Sequence, residues 1–74
     1  MSNNNSDDAY FTAGELANLF GISKQTLLYY DKIGLLSPDF ICEKGYRHYS
    51  IQQYLDLEII VNLRSFNISI PDIK

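Results

Sequence analysis

Residues 12–34 read TAGELANLFGISKQTLLYYDKIG, and this stretch predicts two short helices joined by a tight turn. Thr12 and Glu15 have the spacing of a capping box, in which the side chain of each residue accepts the backbone amide of the other. Gly21 suits the left-handed residue that ends a helix, and Ser23 suits the N-cap of the next one. The expected helices span residues 13–19 and 24–33. Two such helices with a glycine in the turn are typical of a helix-turn-helix.

The apolar residues of this stretch support the same interpretation. Leu16, Ala17 and Phe20 recur at three- and four-residue spacing, which gives the first helix one apolar stripe. Ala17 is small, as two crossing helices require at their closest approach. Ile22 and Leu27 are expected to fill the core between the helices.

The following residues, 36–49, predict a small hairpin, or wing. Pro38 prevents further helix nearby, and Gly45 marks a turn. The stretch after it alternates as a strand does, so either Tyr46 or Tyr49 is expected to pack inward.

A third helix is predicted over residues 51–66, after a second capping box formed by Ser50 and Gln53. Its apolar residues, expected to close the core, are Tyr54, Leu57, Ile60, Leu63 and Phe66. A last helix is expected to begin near Ile70, with Pro71 in its first turn. The predicted fold is therefore mainly α, a winged helix-turn-helix with a small β-hairpin wing.

Length and charge set limits on this fold. A chain of 74 residues forms one domain at most, and we expect a solvated tail over residues 1–9 and the domain over residues 10–74. The formal net charge of −3 is unusual for a nucleic-acid-binding domain. A local stripe of cations can nevertheless bind phosphate on a protein of acidic net charge.

Several classes of protein are disfavoured by the same sequence. No apolar run is long enough to span a membrane, and the N-terminus lacks the features of a secretory signal. The single cysteine, Cys42, excludes an internal disulfide and a multi-cysteine zinc site. Without a nucleophile–base pair or a phosphate loop, no enzyme is predicted, and no cofactor or metal is expected. A cytoplasmic protein fits these observations.

Four stretches in this order carry a resemblance: GELANLFGIS, TLLYYDKIGLL, GYRHYS and ISIPDIK. Residues 10–74 resemble the N-terminal DNA-binding domain of the MerR family of bacterial transcription regulators. Within that family, YYDKIGLLSPDF is most similar to multidrug-responsive, BmrR-like members.

The resemblance implies a winged helix-turn-helix followed by a helical second wing. It further implies a homodimer, paired through a long antiparallel helix after Lys74. Each protomer would place its second helix in a major groove of double-stranded promoter DNA. The dimer would bend and untwist a promoter with too long a spacer, and RNA polymerase would be affected indirectly through that distortion. This 74-residue chain, without the pairing helix, is expected to be mostly monomeric.

The second helix supplies the first candidate DNA contacts. In a helix-turn-helix the N-terminal part of that helix meets base edges, which places Lys24, Gln25 and Thr26 there. Thr26 has the alternative of packing or bonding within the helix. The resemblance implies that Tyr29 directs its hydroxyl to phosphate and that Tyr30 mainly packs.

The wing and the third helix supply the others. Arg47, beside the turn, is expected to reach the DNA backbone or minor groove, whereas the alternative is a surface salt bridge to Glu43 or Asp39. Tyr46 is expected to shape the wing. The resemblance places Arg64, late in the third helix, on the DNA face of the second wing. Lys44 at the wing tip is a weaker candidate.

Leu28 departs from the family, whose members commonly carry arginine here. Leucine removes a charge-assisted phosphate contact and the counterion release that accompanies it. It could instead contact a thymine methyl group. His48 stands alone and is not expected to bind metal, and the thiol of Cys42 is interpreted as incidental.

Two other functions remain open from the sequence. A small winged helix without an effector domain could be an excisionase-like protein that bends DNA. Leu28 and the acidic balance also allow a protein-interaction module that has lost DNA binding. A salt-dependent affinity for duplex DNA separates both DNA-binding functions from the last one.

Overall fold

The computed structural model describes residues 10–73, so the predicted tail at residues 1–9 lies outside the described residues. The elements in chain order are β1 Phe11–Thr12, α1 Ala13–Phe20, α2 Lys24–Lys32, β2 Phe40–Ile41, β3 Arg47–Tyr49, α3 Ile51–Ser65 and α4 Ile70–Ile73. This mainly helical order with a small sheet confirms the predicted winged helix-turn-helix, and each of the first three helices ends within one residue of its expected position.

Local hydrogen bonds define the helix-turn-helix. The Thr12 amide donates to Glu15 Oε1 at 2.9 Å, and the Glu15 amide donates to Thr12 Oγ1 at 3.2 Å. Helix α1 ends at Gly21, which has φ 66° and is therefore left-handed. The Ser23 hydroxyl accepts the Thr26 amide at 3.1 Å and caps α2. The capping predictions for both helices are confirmed.

The sheet has three antiparallel strands in the order β1-β3-β2. Phe11 lies opposite Tyr49, and Phe40 lies opposite His48, with their rings stacked at 4.7 Å. The predicted hairpin is therefore present, although its paired part is short. Strand β1 was not predicted, since two residues directly before a helix leave no alternating pattern.

The core lies where α1, α2, α3 and β3 meet. Its buried residues are Ala13, Leu16, Ala17, Leu27, Tyr30, Leu36, Tyr49, Leu57 and Ile60. Tyr49 is the inward-facing tyrosine of the wing, whereas Tyr46 is exposed, as the alternation requires. The expected packing role of Tyr30 is also confirmed.

The expectation that Phe66 closes the core is wrong. Helix α3 ends at Ser65, and the chain turns through the left-handed residue Asn67, so Phe66 is 75% exposed. Ile70 and Ile73 of the short helix α4 pack against the core instead. Within residues 10–73, no helix is both long enough and apolar enough to cross a membrane.

Candidate nucleic-acid interface

A cleft of about 500 Å³ opens where the start of α1, the start of α2 and the hairpin meet. We call it the wing cleft; its lining residues are Thr12, Ala13, Gly14, Lys24, Leu28, Gly45, Tyr46 and Arg47. Three candidate DNA contacts, Lys24, Tyr46 and Arg47, are therefore brought together. The charged residues of the lining are both cations, and none of its residues is acidic.

Arg47, the first residue of β3, is held by an acid of α2. Its Nε donates to Asp31 Oδ2 at 3.0 Å, and the Arg47 and Asp31 side chains are 32% and 23% exposed. The salt bridge considered from the sequence, to Glu43 or Asp39, is therefore replaced by one to Asp31. Asp31 lies 16 residues before Arg47 in the chain, so considering only the acids near Arg47 in the sequence could not identify it as the partner.

The three candidate DNA contacts in the first turn of α2 differ in their exposure and in their neighbours. Lys24 lines the wing cleft, and Gln25 is exposed beside it in the chain. Thr26 is half-buried, and its hydroxyl lies 2.9 Å from the Ser23 hydroxyl. The Thr26 hydroxyl therefore takes part in the helix cap, the alternative that the sequence left open for it.

Leu28 lies one helical turn after Lys24 and also lines the wing cleft. It is half-buried, and the exposed Tyr46 lies on the hairpin side of the same cleft. The position where the family commonly has arginine is thus an apolar part of the cleft wall.

Tyr29 is exposed and lies outside the wing cleft. It lines a second cleft of about 460 Å³ together with Ile33, Ile70 and Pro71, between the end of α2 and α4. A hydroxyl at this place remains available to a phosphate, and its predicted contact stays a prediction.

Lys44 and Arg64 also lie outside the lining of the wing cleft. Lys44 is exposed in the turn of the hairpin. Arg64 is exposed near the end of α3, and its Nη1 donates to the Ile68 carbonyl at 3.3 Å. Arg64 therefore also satisfies a carbonyl that follows the end of its own helix.

Cys42 lies in the wing beside His48. A hydrogen bond with the His48 side chain, followed by one with the Tyr46 backbone, lowers the pKa of the Cys42 thiol below its ordinary value. Among residues 10–73, no group of three or more His, Cys, Asp or Glu side chains is arranged to hold a metal ion.

Sequence reasoning missed Asp31 and the start of α1 as parts of this site. Asp31 was hidden because its partner is distant in the chain. Thr12 and Gly14 were assigned only to the helix start, although helix N-termini present backbone amides that bind anions. Thr12 ends strand β1 and Gly14 follows it by two residues, so the pairing of β1 with β3 carries both to the cleft.

Comparison with known proteins gives consistent results. The family model described as MerR HTH family regulatory protein matches residues 11–74. The multidrug-efflux transporter 2 regulator of Bacillus subtilis is 42% identical over 65 residues, which are 88% of this chain and 24% of that protein. This chain spans about a quarter of the length of the first such relatives.

Two solved structures are similar throughout the domain. The N-terminal part of MtaN, the Bacillus subtilis multidrug transporter activator, superposes with a TM-score of 0.80 at 30% identity, covering 85% of this chain and 59% of that one. HiNmlR, a MerR family regulator lacking the sensor domain and bound to promoter DNA, gives a TM-score of 0.76 at 33% identity. That match covers 86% of this chain and 48% of HiNmlR.

Proposed function

Because this chain belongs to the MerR family of helix-turn-helix regulatory proteins, we propose that residues 10–74 are the sequence-specific DNA-binding domain of a bacterial transcription regulator. The observation that carries the proposal is the lining of the wing cleft. A chain with a net charge of −3 places Lys24 and Arg47 there without an acidic lining residue. Lys24, together with the N–H donors of Arg47 that Asp31 does not use, supplies groups that a phosphate backbone can bind.

The first turn of α2 would enter the major groove. In a helix-turn-helix this turn meets base edges, so Lys24 would contact guanine or phosphate and Gln25 would contact adenine. Thr26, whose hydroxyl is used in the cap, would contribute through its position in the same turn. This part of the interface would supply the sequence specificity.

The wing would hold the flanking backbone. Arg47 would bind a phosphate, and the first amides of α1 would face the same anion across the cleft. Tyr46 would shape that contact, and Lys44 at the turn would add charge. These contacts fix the register of the protein on the duplex.

Leu28 and Tyr46 make part of the wing cleft apolar, and this affects the choice of operator. Leucine cannot replace the charge-assisted contact of an arginine, so affinity would depend more heavily on Lys24 and Arg47. A thymine methyl group is the base feature that an apolar side chain recognises in the major groove. We propose that Leu28 makes this contact.

The remaining candidates would extend the interface. Tyr29 would donate its hydroxyl to a phosphate from the second cleft. Arg64 would donate its guanidinium N–H groups to a phosphate from a helical second wing formed by α3 and α4. Both contacts would be independent of base sequence.

We also propose that the native protein acts as a homodimer, paired through a helix after Lys74, in the cytoplasm and without enzymatic activity. Two protomers would bind two half-sites, and the dimer would bend and untwist the promoter between them. RNA polymerase would respond to that distortion. Support comes from HiNmlR, a family member whose structure contains promoter DNA.

A DNA titration tests the proposal. A fluorescent duplex from upstream of the native gene is titrated with this chain and with the native gene product, at several salt concentrations. We expect affinity to fall steeply with salt, and Arg47→Ala to weaken binding by about tenfold, the loss typical of one charged hydrogen bond. The salt slope should fall by about one unit, since one phosphate contact is lost.

Lys32→Ala is the matched control. It removes the same charge from the exposed end of α2, away from the lining of the wing cleft. It should change affinity far less than Arg47→Ala. Equal effects of the two variants, or an affinity that salt does not change, would contradict DNA binding by this cleft and favour a protein partner.

A further inference from the structure

We propose that Asp31 is a positioning residue, which holds the Arg47 guanidinium so that its Nη groups are presented to a DNA phosphate. The inference rests on the proposed DNA-binding function and adds to it a residue that makes no DNA contact. Asp31 lies in the last turn of α2 and is not part of the wing-cleft lining, whereas Arg47 is. The acid therefore touches the proposed interface through the arginine.

The contact itself fixes one edge of the guanidinium. Arginine has five N–H donors in a planar fork, and the bond to Asp31 Oδ2 uses only the one at Nε. Within residues 10–73, the Nη groups of Arg47 make no hydrogen bond. Because the plane is rigid, the bond at Nε sets the Nε edge of the guanidinium against Asp31. The end of the fork, made of one N–H from each Nη group, then faces another direction, where a phosphate could bind it bidentately.

The surroundings make this contact firmer than a solvated ion pair. Both side chains are half-buried, and Tyr49, fully buried in the core, lies close enough for both charges to act on it. Burial, and then the Asp31 carboxylate, raises the pKa of Tyr49, while Arg47 lowers it. The pair thus lies against a buried, uncharged wall, where electrostatic attraction is stronger than in water.

Two effects of Asp31 on DNA binding oppose each other, and their sign is measurable. Its negative charge lies near the proposed phosphate, so charge alone predicts that removing it strengthens binding. The ordering of the Arg47 side chain predicts that removing Asp31 weakens binding. A free arginine loses rotamer freedom when it binds phosphate, whereas an arginine held by Asp31 has already lost it. We infer that order is the larger effect, since the carboxylate bonds the Nε edge whereas the phosphate would bind the end of the fork. The guanidinium would then separate the two anions, and salt would weaken their repulsion further.

Asp31→Asn and Asp31→Ala test this directly, in the same duplex titration. Both should weaken DNA binding by about 3- to 10-fold, the range expected for ordering one long side chain at an interface. Asp39→Asn is the matched control, since it removes an exposed acid of the same hairpin region that makes no ion pair with Arg47. It should leave affinity unchanged or slightly raise it at low salt.

A double-mutant cycle separates positioning from a general structural effect. In an Arg47→Ala background, Asp31→Asn should no longer weaken binding, because the residue that it positions is gone. Equal weakening in both backgrounds would overturn the proposal, since Asp31 would then be acting through the fold. Tighter binding by Asp31→Asn in the wild-type background would also overturn it, since charge would then be the larger effect.

An NMR measurement keeps the test valid if Asp31→Ala folds poorly. The Nε–H signal of Arg47 in the free protein should be sharp and slow to exchange, and it should broaden in Asp31→Asn while the backbone spectrum is preserved. The two proposals fail in different ways. If the wild-type chain does not bind duplex DNA, both the DNA-binding proposal and the positioning proposal are wrong. If binding depends on Arg47 but not on Asp31, only the positioning proposal is wrong.

Discussion

At the scale of single residues, one neighbour determines how each reactive side chain of the wing behaves. Asp31 fixes the orientation of Arg47, and His48 changes the chemistry of Cys42. The sequence suggested that the thiol was incidental because a free thiol in a hairpin usually is. Its lowered pKa means that more thiolate is present near neutral pH, and the thiolate is the reactive form of cysteine.

We predict that Cys42 is alkylated by iodoacetamide with a pH profile whose midpoint lies below that of an ordinary thiol. The hydrogen bond with His48 stabilises the thiolate, so His48→Phe should move the midpoint upward. Phenylalanine preserves an aromatic ring for the stack with Phe40. The measurement is the alkylation rate, followed by mass spectrometry from pH 6 to roughly pH 10, a range that spans the ordinary cysteine value.

The same chain in denaturant is the control for this experiment, because its thiol has no folded neighbour. Its midpoint should lie above that of the folded protein. If the folded and denatured chains gave one midpoint, or if His48→Phe left it in place, the influence of His48 on the thiol would be disproved.

At the scale of elements, two glycines of the helix-turn-helix differ in whether their backbone conformation can accept a side chain. Gly14 lies in the first turn of α1, and a Cβ built there would meet nothing within 4 Å. Gly21 ends the same helix with φ 66°, a conformation that residues with a Cβ rarely adopt. A Cβ would meet no neighbouring atom at either position, so comparing the stabilities of the two alanine variants isolates the effect of backbone conformation from that of packing.

We predict that Gly14→Ala stabilises the domain by about 0.5 kcal/mol, because alanine loses less backbone entropy in a helix. Gly21→Ala should destabilise it by about 1 kcal/mol, since alanine in a left-handed conformation is strained. Urea unfolding followed by circular dichroism measures both changes. A loss of stability in Gly14→Ala would mean that this position has a packing role in the folded protein.

How far each element could be predicted depends on the range of its interactions. The helices were predicted to within a residue because the caps at Thr12, Ser23 and Gly21 are local. Strand β1 was missed because a strand of two residues is too short to show an alternation of polar and apolar side chains. Phe66 was misplaced because helical spacing does not reveal where α3 stops.

The candidate interface follows the same physical division. The residues of one turn, such as Lys24, could be selected from the helix-turn-helix pattern. The cleft that unites Lys24 with Arg47 depends on how the hairpin folds back onto two helices, which no local pattern encodes. The pairing of Arg47 with Asp31 is likewise a contact between distant segments, and it is what led to the positioning role.

At the scale of the whole molecule, the orientation of this interface depends on one small core. Leu16 and Ala17 of α1, Leu27 of α2, Tyr49 of β3 and Leu57 of α3 are all buried in it. A domain this small buries only about 60% of the surface of its unfolded chain, so its stability is marginal. The relative positions of α2 and the wing are therefore sensitive to changes far from the cleft.

We predict that Leu57→Ala destabilises the domain by about 2–5 kcal/mol, the cost of a cavity at a fully buried leucine. Small domains have a total stability near the low end of about 5–15 kcal/mol, so much of the folding free energy would be lost. Leu55→Ala, on the same helix at a side chain that is 45% exposed, should cost far less. Thermal unfolding followed by circular dichroism compares the two variants, and DNA affinity measured in parallel should fall with the folded fraction of Leu57→Ala. Similar unfolding of both variants would mean that α3 packs against the core through a face other than the one that contains Leu57.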